Sequence, residues 1–111
     1  MIILTPGHKY ELANFEQPAT TGQVLQFIEK EPDPHGGDVP ITVNDGTTNE
    51  EVLKVLINRM QHLNAKLPNR ETSIVITHCE DALLRLEKRT SDRTARGVEA
   101  PTNRNTKTRG A

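Results

Sequence analysis

Arg85, Arg89, Arg93 and Arg96 fall in the stretch RLEKRTSDRTARGVE at steps of four, four and three. On an α-helix that spacing aligns four guanidinium groups on one face, where like charges repel by about 0.2–0.5 kcal/mol per pair. Guanidinium is a planar fork of donors that binds phosphate oxygens bidentately, so aligned arginines suit adjacent phosphates. Asp81 stands four before Arg85 and Asp92 four before Arg96, the favourable order for helix ion pairs. Arg89 has Asp92 three residues later, in the weaker order, and Arg93 is flanked at helical spacing by Arg89 and Arg96. Arg89 and Arg93 are therefore expected to be undercompensated, offset by about 6 Å along the axis. Two readings stay open on residue chemistry alone: a solvated face with ion pairs inside or between subunits, or a phosphate clamp.

Other chemistry is harder to place. His78 and Cys79 are neighbours, and neighbours on a helix point about 100° apart and do not meet. A thiol buried on an apolar stripe is the expected role of Cys79. His8, His35, His62 and His78 follow no metal-ligand spacing. The chain contains no phosphate-binding glycine loop, dinucleotide fingerprint or serine elbow, so nothing in it requires turnover, and no cofactor is expected.

A chain of 111 residues supports one domain, and 33% hydrophobic content with no Trp, one Tyr and two Phe predicts a thin core. Small chains bury a smaller fraction of their surface, and association of subunits is a natural remedy. Residues 1–50 carry two lysines against eight acids, a net −6, while residues 51–111 carry twelve Lys/Arg against seven acids, a net +5. Opposite halves favour contacts within or between subunits, or an anionic ligand for the basic half. A near-neutral chain almost without aromatics is a poor strand-stacking platform, so DNA is not an expected partner. One cysteine permits no internal disulfide, and no stretch has the length of a signal peptide core or a membrane span, so a reducing, cytoplasmic location is expected.

These residues need elements to position them. The first 47 residues read as a small antiparallel sheet. Its candidate segments are Ile2–Leu4, Lys9–Phe15, Gln23–Glu29 and Val39–Val43, with turns at Thr5-Pro6-Gly7 and Asn44-Asp45-Gly46 and a Pro/Gly-rich loop over residues 31–38. Thr48 and Glu51 have capping-box spacing, and Leu53, Leu56, Ile57, Met60, Leu63 and Leu67 then follow helical periodicity up to Pro68. Asn69 is placed to cap a second helix, with Glu71 in its first turn. On that helix Ile76, Cys79, Leu83 and Leu86 form a stripe for packing on the first helix. Val75, His78, Ala82 and the four arginines form another. Gly97 is the expected stop, with Pro101 beyond it and a polar, disordered tail over 101–111. The expected fold class is α+β: a small N-terminal antiparallel β-sheet over 1–47 and a C-terminal α-helical hairpin over 48–100 of the same domain, oligomeric.

The run EVLKVLINRMQHLNAKLPNRETSIVITHCEDALLRLEKRTSDRTARGVEA resembles the helix-hairpin domain of small phage proteins that sequester immune nucleotide signals. LNAKLPNRE and RTSDRTARGVE are long, unusual motifs, and they are similar to those of the Thoeris anti-defence family of the first type. The anti-CBASS nucleotide sponges are relatives sharing the hairpin. The likeness covers residues 48–100, and the openings LTPGHKYELANFE, QFIEKEP and VNDGTTNEEVL also look like the sheet portion of the Thoeris group.

The resemblance implies a non-enzymatic protein of the infected host's cytoplasm that traps cyclic ADP-ribose isomers and blocks Thoeris immunity. It also implies dimers assembling to hexamers, and cyclic di- or trinucleotides as further ligands in separate pockets at subunit junctions. Family arginines near the end of the second helix grip the ligand's phosphates, and the motif places these at Arg89 and Arg93. An aromatic residue late in the family's first helix stacks on adenine, and His62 is its equivalent here, a smaller stacking surface. The family's hairpin turn, F-P-C-R-E-N, becomes Leu67-Pro68-Asn69-Arg70-Glu71-Thr72, so Thr72 replaces an amide that contacts the base. His62 as an ordinary exposed helix residue, and Thr72 as an ordinary first-turn residue, remain the competing readings. An oligomeric interaction module, with the arginine face meeting another subunit's acidic half, is the alternative function. Hydrolysis of the same signal lacks a general base or metal cluster.

Overall fold

A computed structural model of the chain describes residues 1–96. Gly97, Pro101 and the tail over 101–111 lie outside the described residues. The element order is β1 (Ile2–Thr5), β2 (Lys9–Leu12), β3 (Gln23–Gln26), β4 (Glu29–Glu31), β5 (Ile41–Asn44), α1 (Asn49–Lys66) and α2 (Arg70–Ala95). The chain divides into two compact units, one over Met1–Asn49 and the other from Glu50 onward. Among the described residues, no helix is long and apolar enough to cross a membrane.

In the first unit β1, β2 and β3 form an antiparallel sheet in that order, with Ile3 opposite Tyr10 and Tyr10 opposite Leu25. The β1–β2 turn follows from its residues: Pro6 presets the first central position, and Gly7 takes the second at φ 80° while His8 N–H donates to Thr5 C=O at 2.9 Å. Pro followed by a positive-φ Gly is the type II arrangement. The expected single sheet is corrected to two, because β4 and β5 pair separately. The segment Gln23–Glu29, expected as one strand, divides at Phe27, where the chain leaves β2 for a new partner. Thr47 N–H donates to Gln26 C=O and Ile28 N–H to Thr47 C=O, each at 2.9 Å, in a parallel bridge between Phe27 and Thr47. Phe27 also packs edge-on to Tyr10, ring centroids 6.1 Å apart.

The second unit is the helix hairpin. α1 starts directly after Thr48, where the capping box was expected, and closes before Pro68. Asn69 caps α2: its backbone is extended (φ −144°, ψ 131°) and its side chain accepts from Thr72 N–H at 3.1 Å. Asn64 braces the turn, accepting from Asn69 N–H at 2.8 Å and donating to Ser73 Oγ at 3.0 Å. Removing the cap with Asn69→Ala is expected to lower stability by about 1 kcal/mol, with Asn69→Ser restoring most of it, as read from urea unfolding midpoints.

The core is as thin as the composition predicts. Among the described residues Ile57 and Ile76 are the buried hydrophobics, one on each helix. Leu53, Met60, Cys79, Leu83 and Leu86 are half-buried. Cys79 thus keeps its place on the expected stripe but is not fully buried. The α1 stripe needs a larger correction: Leu56 and Leu63 are 43% exposed and Leu67 is 80% exposed. Leu56 and Leu63 share one flank of α1, and Leu67 directly follows its last residue.

Candidate functional site

The arginine face occupies the second half of α2. Arg85 Nε donates to Asp81 Oδ2 at 3.2 Å, as its spacing predicts. Asp92, expected to serve Arg96, instead accepts from Lys88 Nζ at 2.9 Å through Oδ2. Lys88 stands one turn before Asp92, the less favourable order, and its long stem spans that turn. Both pairs are surface pairs, worth about 0.3–0.5 kcal/mol each. Their effect is on the charge map more than on stability.

That map separates the two candidate clamp residues. Arg89 is exposed and, among the described residues, makes no hydrogen bond or ion pair. Arg93 is half-buried and has an interaction of its own. His62 and His78 are exposed on their helices.

The other candidate region is the hairpin tip. A groove of about 580 Å³ opens there, lined by Met60, Leu63, Lys66, Leu67, Thr72 and Val75 among others. Its exposed surface is mostly apolar, with Asn64, Lys66, Asn69, Glu71 and Thr72 as its polar residues. Thr72 is half-buried in this groove, whereas His62 is not among the lining residues. The groove was not anticipated, although three of its walls, Leu63, Leu67 and Val75, were visible as apolar positions near the turn. The lysine–aspartate pair at 88 and 92 was also overlooked, despite its i,i+4 spacing.

The candidate residues therefore fall into two groups. Thr72 and Arg89 are separated by about 26 Å along one uninterrupted helix at about 1.5 Å per residue, and Thr72 and Arg93 by about 32 Å. Within one chain, a single small cyclic nucleotide does not touch both groups. Among the described residues, no group of three or more His, Cys, Asp or Glu is placed to hold a metal ion.

The hairpin carries a basic far end and an apolar tip, and the comparisons place its lineage. Residues 27–91 match the family model described as the Acb2/Tad1 hairpin domain. The chain belongs to that family, and the resemblance read from its motifs holds. The match includes His62, Thr72 and Arg89, and Arg93 lies just beyond it. Among curated proteins the chain is 40% identical over 63 residues to Thoeris anti-defense 1 of Bacillus phage SBSphiJ7, an overlap covering 54% of this chain and 44% of that protein. The overlap thus spans less than half of the relative's length. No solved structure matches the chain.

Proposed function

We propose that the chain is a phage anti-defence protein that binds a cyclic ADP-ribose-type immune signal and holds it uncleaved in the infected host's cytoplasm, blocking Thoeris immunity. Family membership and the phage relative support the anti-defence role. The observation that carries the ligand assignment is the charge map of α2. The helix neutralises Arg85 and Lys88 internally and leaves Arg89 open, with Arg93 one turn on. A bidentate donor fork left open to solvent beside a second arginine suits a pyrophosphate.

The separation along α2 adds a requirement. If the tip groove takes the base and the arginines take the phosphates, one ligand meets the tip of one subunit and the basic end of another. Thr72 then faces the base, and His62, about one turn before the end of α1, is a secondary stacking surface. Homo-oligomerisation, by dimers and by their further assembly to hexamers, follows from the same reading. The exposed Leu56, Leu63 and Leu67 supply an apolar surface for it. Light scattering at micromolar concentration is expected to show more than one chain per particle. A clean 12.4 kDa monomer would defeat this part of the proposal.

The second reading is an interaction module without a nucleotide ligand. The exposed apolar flank favours it equally, since that flank needs a covering partner whether or not a ligand is present. One experiment separates the readings: the protein is exposed to cells producing the signal, purified, denatured and its released small molecules weighed. Intact cyclic ADP-ribose isomer supports sequestration, a linear product supports hydrolysis, and no ligand supports the interaction module. Cyclic di- and trinucleotides are the further ligands to screen in the same assay.

A further inference from the structure

Thr90 Oγ1 donates to Glu50 Oε2 at 3.2 Å, a half-buried hydrogen bond joining residues 40 apart in sequence. Glu50 is in the first turn of α1, where the helix dipole favours a carboxylate. Thr90 lies between Arg89 and Arg93 on α2.

The hydroxyl's choice of partner is informative. A threonine inside a helix commonly donates back to the carbonyl four residues earlier. Thr77 does this, reaching Ser73 C=O at 3.2 Å. Thr90 instead reaches across to the other helix.

The location matters as well. The buried hydrophobic residue of α2, Ile76, lies about 21 Å along the axis from Thr90. Nearer the basic end the stripe continues through Leu83 and Leu86, which are half-buried, so a polar tie at Thr90 adds to a partly open seam. At about 100° per residue, a Thr90 turned toward α1 sets Arg93 about 60° and Arg89 about 100° away in the same rotational sense. Burial follows that order: Thr90 and Arg93 are half-buried, while Arg89 and Arg85 are exposed.

We propose that Glu50 and Thr90 are positioning residues for the arginine pair. Their hydrogen bond fixes the rotation of the basic end of α2 and so presents Arg89 and Arg93 as a preformed phosphate-binding surface. Preorganisation raises affinity by removing the cost of ordering side chains on binding. The proposal rests on the ligand assignment above.

The test uses the full chain, titrated calorimetrically with cyclic ADP-ribose isomers. Thr90→Val keeps the shape and removes the donor, and is expected to weaken binding about three- to tenfold. Thr90→Ser, which keeps the hydroxyl, is expected to bind within about twofold of the parent. Glu50→Gln keeps an acceptor oxygen and is also expected to retain most of the affinity, whereas Glu50→Ala matches Thr90→Val. In the double variant Glu50→Ala/Thr90→Val the losses do not add, because the residues act as a unit. Unchanged binding in Thr90→Val, or fully additive losses, overturns the proposal. A parent protein that binds no isomer defeats the ligand assignment instead. Amide exchange over residues 86–95 then judges the tie alone. Faster exchange in Thr90→Val, restored in Thr90→Ser, supports a fixed helix end, and unchanged exchange overturns it.

Discussion

Arg89→Ala is expected to weaken binding of a cyclic ADP-ribose isomer by about tenfold to a hundredfold, with no loss of stability. The magnitude follows from charge-assisted hydrogen bonds worth about 1.5–3 kcal/mol. Stability is spared because Arg89 is exposed and unpaired among the described residues, and its removal relieves repulsion along α2. Arg89→Lys is expected to recover only part of the affinity, since an ammonium keeps the charge but loses the planar fork. Arg85→Ala is the control: Arg85 is occupied by Asp81 at 3.2 Å and is expected to affect binding less. Arg93→Ala is expected to weaken binding similarly, but Arg93 is half-buried and already engaged, so part of its effect reaches folding. Calorimetric titration beside sedimentation of the same variants checks all four. If Arg89→Ala retains full affinity, or dissociates the particle before affinity changes, the clamp is misassigned.

The hairpin was legible because its signals are local. Asn69 caps α2 with its own side chain, Pro68 stops α1 by steric conflict, and the stripe through Ile57 and Ile76 repeats with the helix. The division into two sheets was not legible, since it depends on Phe27 meeting Thr47, 20 positions away. The exposure of Leu56, Leu63 and Leu67 escaped periodicity for a related reason. A stripe facing a second hydrophobic surface reads the same whether that surface belongs to the chain or to another copy. The arginine face was half legible. The Asp81–Arg85 pair obeys spacing, but Asp92 had acceptable partners in both directions and the structure assigns it to Lys88. The Thr90–Glu50 tie left no sequence signal at all.

Two variants that each fail to bind are expected to restore binding when assembled together. The reasoning starts from the axial separation of Thr72 from Arg89, about 26 Å, which places the tip groove and the clamp on different subunits if one ligand uses both. Arg89→Ala removes the clamp and leaves the groove. Val75→Glu fills the groove and places a carboxylate against an anionic ligand; Val75 is 44% exposed, so the hairpin tolerates the change. Each variant alone is expected to bind at least tenfold more weakly than the parent. Coexpressed, random assortment across a two-fold interface leaves about one quarter of sites with an intact groove from one subunit and an intact clamp from the other. Titration of the coexpressed protein should show near-parental affinity at about that reduced stoichiometry, while a mixture of separately folded, non-exchanging variants shows none. If coexpression gives no high-affinity sites although mass analysis confirms mixed particles, groove and clamp do not share a ligand across subunits.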